Sequence, residues 1–404
     1  MNILLVADSI PTPDRSSADF RLSRLLGILA ARAATSYVAV GLERQVAKLG
    51  PAVTEGYREQ LRQLGVELVG PGLGAALAAR RYDAVIFEWH FPALDLLDEV
   101  RHRQPQARVI VDSVDVVFNR LEAKARVSGL AEDQRHALAT RHRELGVYAA
   151  ADLTITVTDA DADILRRALP AAPTLTIANI HPLQDPVGDD PAAEGRLLFV
   201  GSYARPGGET NIDAMRWFCA DILPLVSQRV PAGRLRIVGG PRVDEIDALA
   251  GRHVEVLGFV PQTQPYLASS AVSIAPLRFG GGMKGKIGEA MSFGLPVVTT
   301  PVGIEGFGLQ PGVHALVADS AQAFADHVAD LLLDRAKRRA VGLAGHEFIR
   351  QHYSDAAAAE RVEALLRLIP ELPVDRLPVT KRLGRLGRDA WNRHVGWRLD
   401  SRPR

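Results

Sequence analysis

The chain has 404 residues, 47% of them apolar and 24% charged, with 35 Gly, 25 Pro and a formal net charge of +1. That length exceeds one ordinary hydrophobic core and predicts two or three domains, while the near-neutral charge gives no argument for nucleic acid as a partner. A single cysteine, Cys219, excludes an internal disulfide; without a basic N-terminal segment or an uncharged apolar run of ~18 residues, a cytoplasmic chain is expected.

Residues 2–7 read as a short buried strand, and 8–13 turn out of it. Ser16 and Ser17 then lead into a helix over 20–32, with Leu22, Leu25, Leu26 and Leu29 at helical spacing. Strands are expected at 36–41, 66–69, 83–88, 108–112, 153–157 and 174–177, with helices at 93–103, around 120–149 and from Asp159. No Gly-x-Gly-x-x-Gly follows the first strand, so a nicotinamide or flavin half is unsupported. From 179 to 195 the periodicity stops in a Pro-, Asp- and Gly-rich stretch that reads as a linker. Strands resume at 197–200, 235–238, 254–257, 272–275 and 297–300, and helices are expected near 212–225, at 321–333, 335–353 and 356–368. Strands alternating with helices predict α/β architecture: two doubly wound, Rossmann-like parallel sheets. The expected division is 1–182, a linker at 183–196, 197–355, and a C-terminal helix with a basic tail at 356–404. Ligands of such sheets bind beyond the strand carboxyl ends, which puts the site in the cleft between the domains.

Residues 272–302 carry the chemistry. An apolar strand runs into Gly280-Gly281-Gly282, then Lys284, Lys286 and a helix bearing Glu289. Glycines let a ligand approach the backbone, and the free N–H groups opening a helix attract anions. A cationic end for phosphates and a carboxylate for hydroxyls are therefore expected. The run from Gly280 to Lys286 also matches most of the triphosphatase phosphate loop, but Ile287 lacks the hydroxyl that would hold magnesium. Residues 373–404 hold nine Lys or Arg against three Asp. They read as an interfacial element making peripheral membrane contact with anionic lipid, as a solvated tail, or as a segment folding back on the first domain.

At this point the chain resembles the GT-B-fold, retaining, nucleotide-sugar-dependent glycosyltransferases of family 4. The likeness rests on Leu198-Phe199-Val200-Gly201-Ser202, on Asn211-Ile212-Asp213-Ala214, on Gly280 through Met291, on Gly294 through Thr300, and on Gly303 through Gly306. The resemblance implies that Glu289 binds the ribose hydroxyls of the donor nucleotide, and that Lys284 and Lys286 face the diphosphate. It implies donor contacts by Gly281, Gly282, Met283, Arg205, Gly201, Gly239 and Val260. Ser16 and Ser17 would admit the sugar diphosphate from the first domain, unless they simply cap their helix. His90 and Asp115 are the first-domain candidates for catalysis, each also open to a structural role. The expected reaction is transfer of a sugar from a nucleotide diphosphate to a glycan or glycolipid acceptor, with no metal and no further cofactor. A departure is Gly281, where the better-known motif has a second glutamate; Val116 likewise replaces a histidine. A sugar-nucleotide epimerase and a catalytically silent partner subunit are the alternatives.

Overall fold

A computed structural model describes residues 1–187, 193–204, 208–280 and 282–374. The basic tail from 375 onward, together with Arg205 and Gly281, lies outside the described residues. The first sheet contains β1 (Asn2–Ala7), β2 (Ala34–Ala39), β3 (Glu67–Leu68), β4 (Ala84–Glu88), β5 (Arg108–Asp112), β6 (Leu153–Thr156) and β7 (Thr174–Thr176). The second contains β8 (Arg196–Val200), β9 (Arg234–Val238), β10 (Val254–Gly258), β11 (Val272–Ala275), β12 (Val297–Thr299) and β13 (Leu316–Val317). Their orders are β3-β2-β1-β4-β5-β6-β7 and β10-β9-β8-β11-β12-β13. All these pairings are parallel, as in β1 with β4, Ile3 opposite Ala84.

Period-two packing explains why these runs are apolar throughout. Ile3, Leu5 and Ala7 enter one core, whereas Leu4 and Val6 enter the core on the other face. Leu197 and Phe199 likewise point away from Leu198. A parallel sheet covered by helices on both faces buries both sets, so both must be hydrophobic. Each order reverses once, between β1 and β4 and between β8 and β11. Diverging connections open a crevice at the carboxyl ends there, which is where such sheets bind ligands.

The final helix, Asp355–Leu368, packs on the first domain. Ala358, Val362 and Leu365, with Ile369 and Leu372, are buried in the same core as Leu22, Leu25 and Leu29 of the first domain. Arg24 pairs with Asp355 and Arg32 with Glu363 across the two helices. The chain thus crosses between its two sheets twice, at the linker and before this helix. Among the described residues, no helix is long and apolar enough to cross a membrane.

Candidate active site between the two sheets

The loop leaving β11 enters the helix Gly285–Ser292 directly, with Lys284 as the last residue before it. Gly282 holds a left-handed φ of 63°, a conformation that side-chain-bearing residues enter at a cost. The first domain closes on this loop. A methyl built on Gly282 would stand 3.5 Å from Asp115 Oδ1, and one on Gly285 3.2 Å from Ser17 Cβ. Loops from both switch points therefore meet, and the site is interdomain.

Two lysines define its cationic end. Lys286 donates to Asn211 Oδ1, and its ammonium stands 4.3 Å from the centre of the Phe199 ring. Burial, with a smaller push from Lys284, lowers its pKa to about 7. The buried Lys284 donates to the Gly282 carbonyl at 2.5 Å. Its pKa is also lowered by burial, against an opposing pull from Glu305, Asp115 and Asp161. Withdrawing an ammonium from water favours its neutral form, and an anion arriving between these two would favour the charged form of each. The same helix start that carries them supplies unpaired N–H groups.

One turn on, Glu289 marks the other end. Thr263 donates its hydroxyl to Glu289 Oε1, and burial raises the carboxyl's pKa. Fixing one oxygen in this way leaves the other to receive ligand hydroxyls. If that carboxylate holds a ligand's hydroxyls, Thr263→Val should weaken nucleotide binding several-fold without unfolding the chain, since it frees the carboxylate to rotate. Calorimetry would show it, and unchanged affinity would mean Thr263 plays no part in binding.

The remaining described second-domain candidates are Gly201, Gly239, Met283 and Val260. Gly239, at φ 137°, comes so close to Gly201 that a methyl on it would sit 1.7 Å from the Gly201 carbonyl oxygen. Only glycine fits, and the ends of β8 and β9 close together as a result. Met283 and Val260 are half-buried, with Phe259 exposed beside Val260.

In the first domain, Asp115 follows Val114, a β-branched residue at φ 55°; strain of this kind concentrates at functional sites. Asp115 Oδ2 accepts from Arg120 Nε at 2.9 Å, while its Oδ1 faces Gly282. Ser16 caps the helix Ser17–Ala30, accepting from the Asp19 N–H at 3.3 Å, and Ser17 is the serine that meets Gly285. His90 opens the helix His90–Arg103 and turns inward, 3% exposed, with Nδ1 3.6 Å from Glu144 Oε1. Burial first, and Arg143 second, lower its pKa to about 4. The structure thus gathers Lys284, Lys286, Glu289, Gly282, Asp115 and Ser17, and seats His90 against first-domain side chains. Asp112, next along from β4, is a structural anion: it pairs with the buried Arg21 at 2.7 Å. Sequence reasoning passed over Asn211, Thr263 and the ring of Phe199 as site residues. A polar residue opening a helix reads as a cap, and a threonine in a polar loop gives no spacing signal.

Comparison with known proteins agrees with this geometry. Residues 194–334 match the family "Glycosyl transferases group 1". A Klebsiella pneumoniae protein, "Uncharacterized 44.6 kDa protein in cps region", is 24% identical over 166 residues, 39% of this chain and 42% of that protein. An uncharacterized glycosyltransferase of Methanosarcina acetivorans is 33% identical over 144 residues, 35% of this chain and 33% of that one. Each match thus spans less than half of the curated relative. Among solved structures, sucrose-phosphate synthase of Thermosynechococcus elongatus superposes with a TM-score of 0.64 at 18% identity, covering 91% of this chain and 99% of that one. Alr3699/HepE of Anabaena, solved with UDP and glucose, gives 0.61 at 17% identity, with 90% and 99% covered. At such identity these likenesses speak to the fold, which is that of GT-B glycosyltransferases. Residues 194–334 thus resemble the glycosyl transferases group 1 family, and they lie within a two-sheet fold shared with these solved structures.

Proposed function

We propose that the protein is a retaining glycosyltransferase, moving a sugar from a nucleotide diphosphate to a glycan or glycolipid acceptor. The observation that carries this reading is that Lys284 and Lys286 stand at the start of one helix and Glu289 one turn on, while Gly282 and Gly285 of the same segment meet Asp115 and Ser17 of the first domain. Glu289 would accept from the ribose hydroxyls, and the lysines would lie along the diphosphate. As the bond from the sugar's anomeric carbon to the phosphate oxygen breaks, negative charge grows on the diphosphate. The two ammonium groups and the helix N–H groups stabilise that charge where it develops, so no metal ion is required in this scheme. The acceptor hydroxyl would attack from the face the diphosphate leaves, forming the new bond while its proton passes to a phosphate oxygen. The nucleotide sugar is a substrate, and no further cofactor enters. Asp115, whose Oδ1 lies beside Gly282, would contact the acceptor or donor sugar in this scheme.

A thermal-shift screen against UDP, GDP, ADP and TDP tests the binding half. A ligand at 100 times its Kd adds about 2.7 kcal/mol to the native state, a shift of several degrees. Analysis of the product's anomeric configuration tests the retaining half. No stabilisation by any of these diphosphates, or by their common sugar conjugates, would overturn the reading.

A further inference from the structure

Side chains from outside its own loop set where the Lys286 ammonium stands. Asn211, in the first turn of the helix Glu209–Trp217, receives it through Oδ1. The same amide donates through Nδ2 to the Ser202 carbonyl at 2.7 Å. Chemistry fixes this orientation, because an ammonium only donates and a carbonyl only accepts. There is little room for any other arrangement. A methyl on Gly201 would lie 3.0 Å from Asn211 Cγ and 2.8 Å from Phe199 Cε1. Phe199 in turn presents its ring to the ammonium, an attraction that leaves the charge intact.

We propose that Asn211 is a positioning residue, holding the Lys286 ammonium at the anion-binding end of the cleft and tying it to the loop after β8. The role assigned to that end rests on the functional reading above. A lysine side chain has four rotatable bonds, and ordering it costs entropy that a ligand would otherwise have to supply. A neutral amide orders it without neutralising it. Its neighbours Asn211 and Phe199 are uncharged, and among the described residues the charge that shifts it is that of Lys284, of the same sign. The attraction is therefore kept for an incoming anion. A carboxylate at position 211 would satisfy the lysine internally and repel a phosphate.

Two variants of the full chain test this. The sequence has six lysines, so 15N NMR of Nζ-labelled lysine resolves them, with Lys286 assigned through Lys286→Arg. Asn211→Asp, nearly isosteric, should raise the Lys286 titration midpoint by at least one pH unit in the ligand-free protein. It should also weaken UDP binding at least ten-fold at pH 7. Asn211→Leu, which removes both hydrogen bonds, should weaken UDP binding by a similar factor without raising the midpoint. An unmoved midpoint in Asn211→Asp, or wild-type UDP affinity in Asn211→Leu, overturns the proposal. A midpoint that moves in a protein whose wild type binds none of the diphosphates supports the Asn211–Lys286 coupling and overturns the functional reading instead.

Discussion

On the functional reading above, Glu289→Gln is expected to weaken nucleoside-diphosphate binding, with UDP as the first probe, about 10- to 100-fold while raising the melting temperature at pH 7. The two effects come from the same burial. A hydrogen bond to a charged group contributes roughly 1.5–3 kcal/mol, and each 1.4 kcal/mol is about a factor of ten in affinity. Glutamine keeps an acceptor for Thr263 and nearly the same volume, so what is lost is the charge offered to two hydroxyls. Stability moves the other way because burial raises the carboxyl's pKa in the folded chain. A raised carboxyl binds its proton more tightly folded than unfolded. Its ionised form therefore costs nothing below the unfolded pKa, and the cost is fully present once pH has risen through the folded pKa. The gain from glutamine should accordingly vanish near pH 4 and grow toward neutrality. Melting curves of both proteins across that range give the answer. A variant that is less stable at pH 7 and binds UDP like wild type would remove Glu289 from the binding site. Such opposition of stability and function is the usual mark of a group retained for its ligand.

The fold was legible in the sequence because a doubly covered parallel sheet needs unbroken apolar runs. Strands such as 2–7 and 108–112 therefore stand out against the helices between them, and their alternation dictates the layers. The loop after β11 stood out for a related reason: five glycines, two lysines and a glutamate in the ten residues 280–289 have few structural uses in common. What was hidden depends on long-range pairing. Nothing in the alanine- and leucine-bearing face of Asp355–Leu368 says which sheet it covers, and ion pairs such as Arg24 with Asp355 join residues 331 positions apart. Asn211 meets Lys286 across 75 positions. Thr263 meets Glu289 across 26. His90 was read from its residue type and its place after a strand, and neither reports the inward turn taken by the first residue of its helix. The helices Leu42–Leu49 and Pro51–Gln63 were not anticipated either. Their apolar stripes are thin, with Tyr57 and Leu61 the chief buried contacts.

Gly288→Ala is expected to damage the site without touching a ligand. Gly288 lies two residues beyond Lys286, roughly on the opposite side of the helix, where it packs against the linker. A methyl there would stand 2.2, 2.5 and 2.7 Å from Nε2, Cδ2 and Cε1 of His181. That ring cannot yield easily. It is 7% exposed, and its backbone N–H is held by the Tyr353 carbonyl at 2.7 Å. The helix must shift instead, at about 1–3 kcal/mol for overpacking, and it carries Lys286 and Glu289 with it. A displacement of the order of 1 Å at a reacting centre can cost about 100-fold in rate. Alanine is otherwise the better helix former, by about 1 kcal/mol over glycine, so the damage belongs to the ring rather than to the backbone. His181→Ala in the same chain should therefore restore much of both stability and turnover. The ring has little to lose: its Nε2 finds no hydrogen-bond partner among the described residues, and burial pushes its pKa down to about 4. In a double-mutant cycle the two changes should couple by about 0.5–3 kcal/mol, the range for residues in contact. Strict additivity would show instead that the helix is seated by something other than the linker.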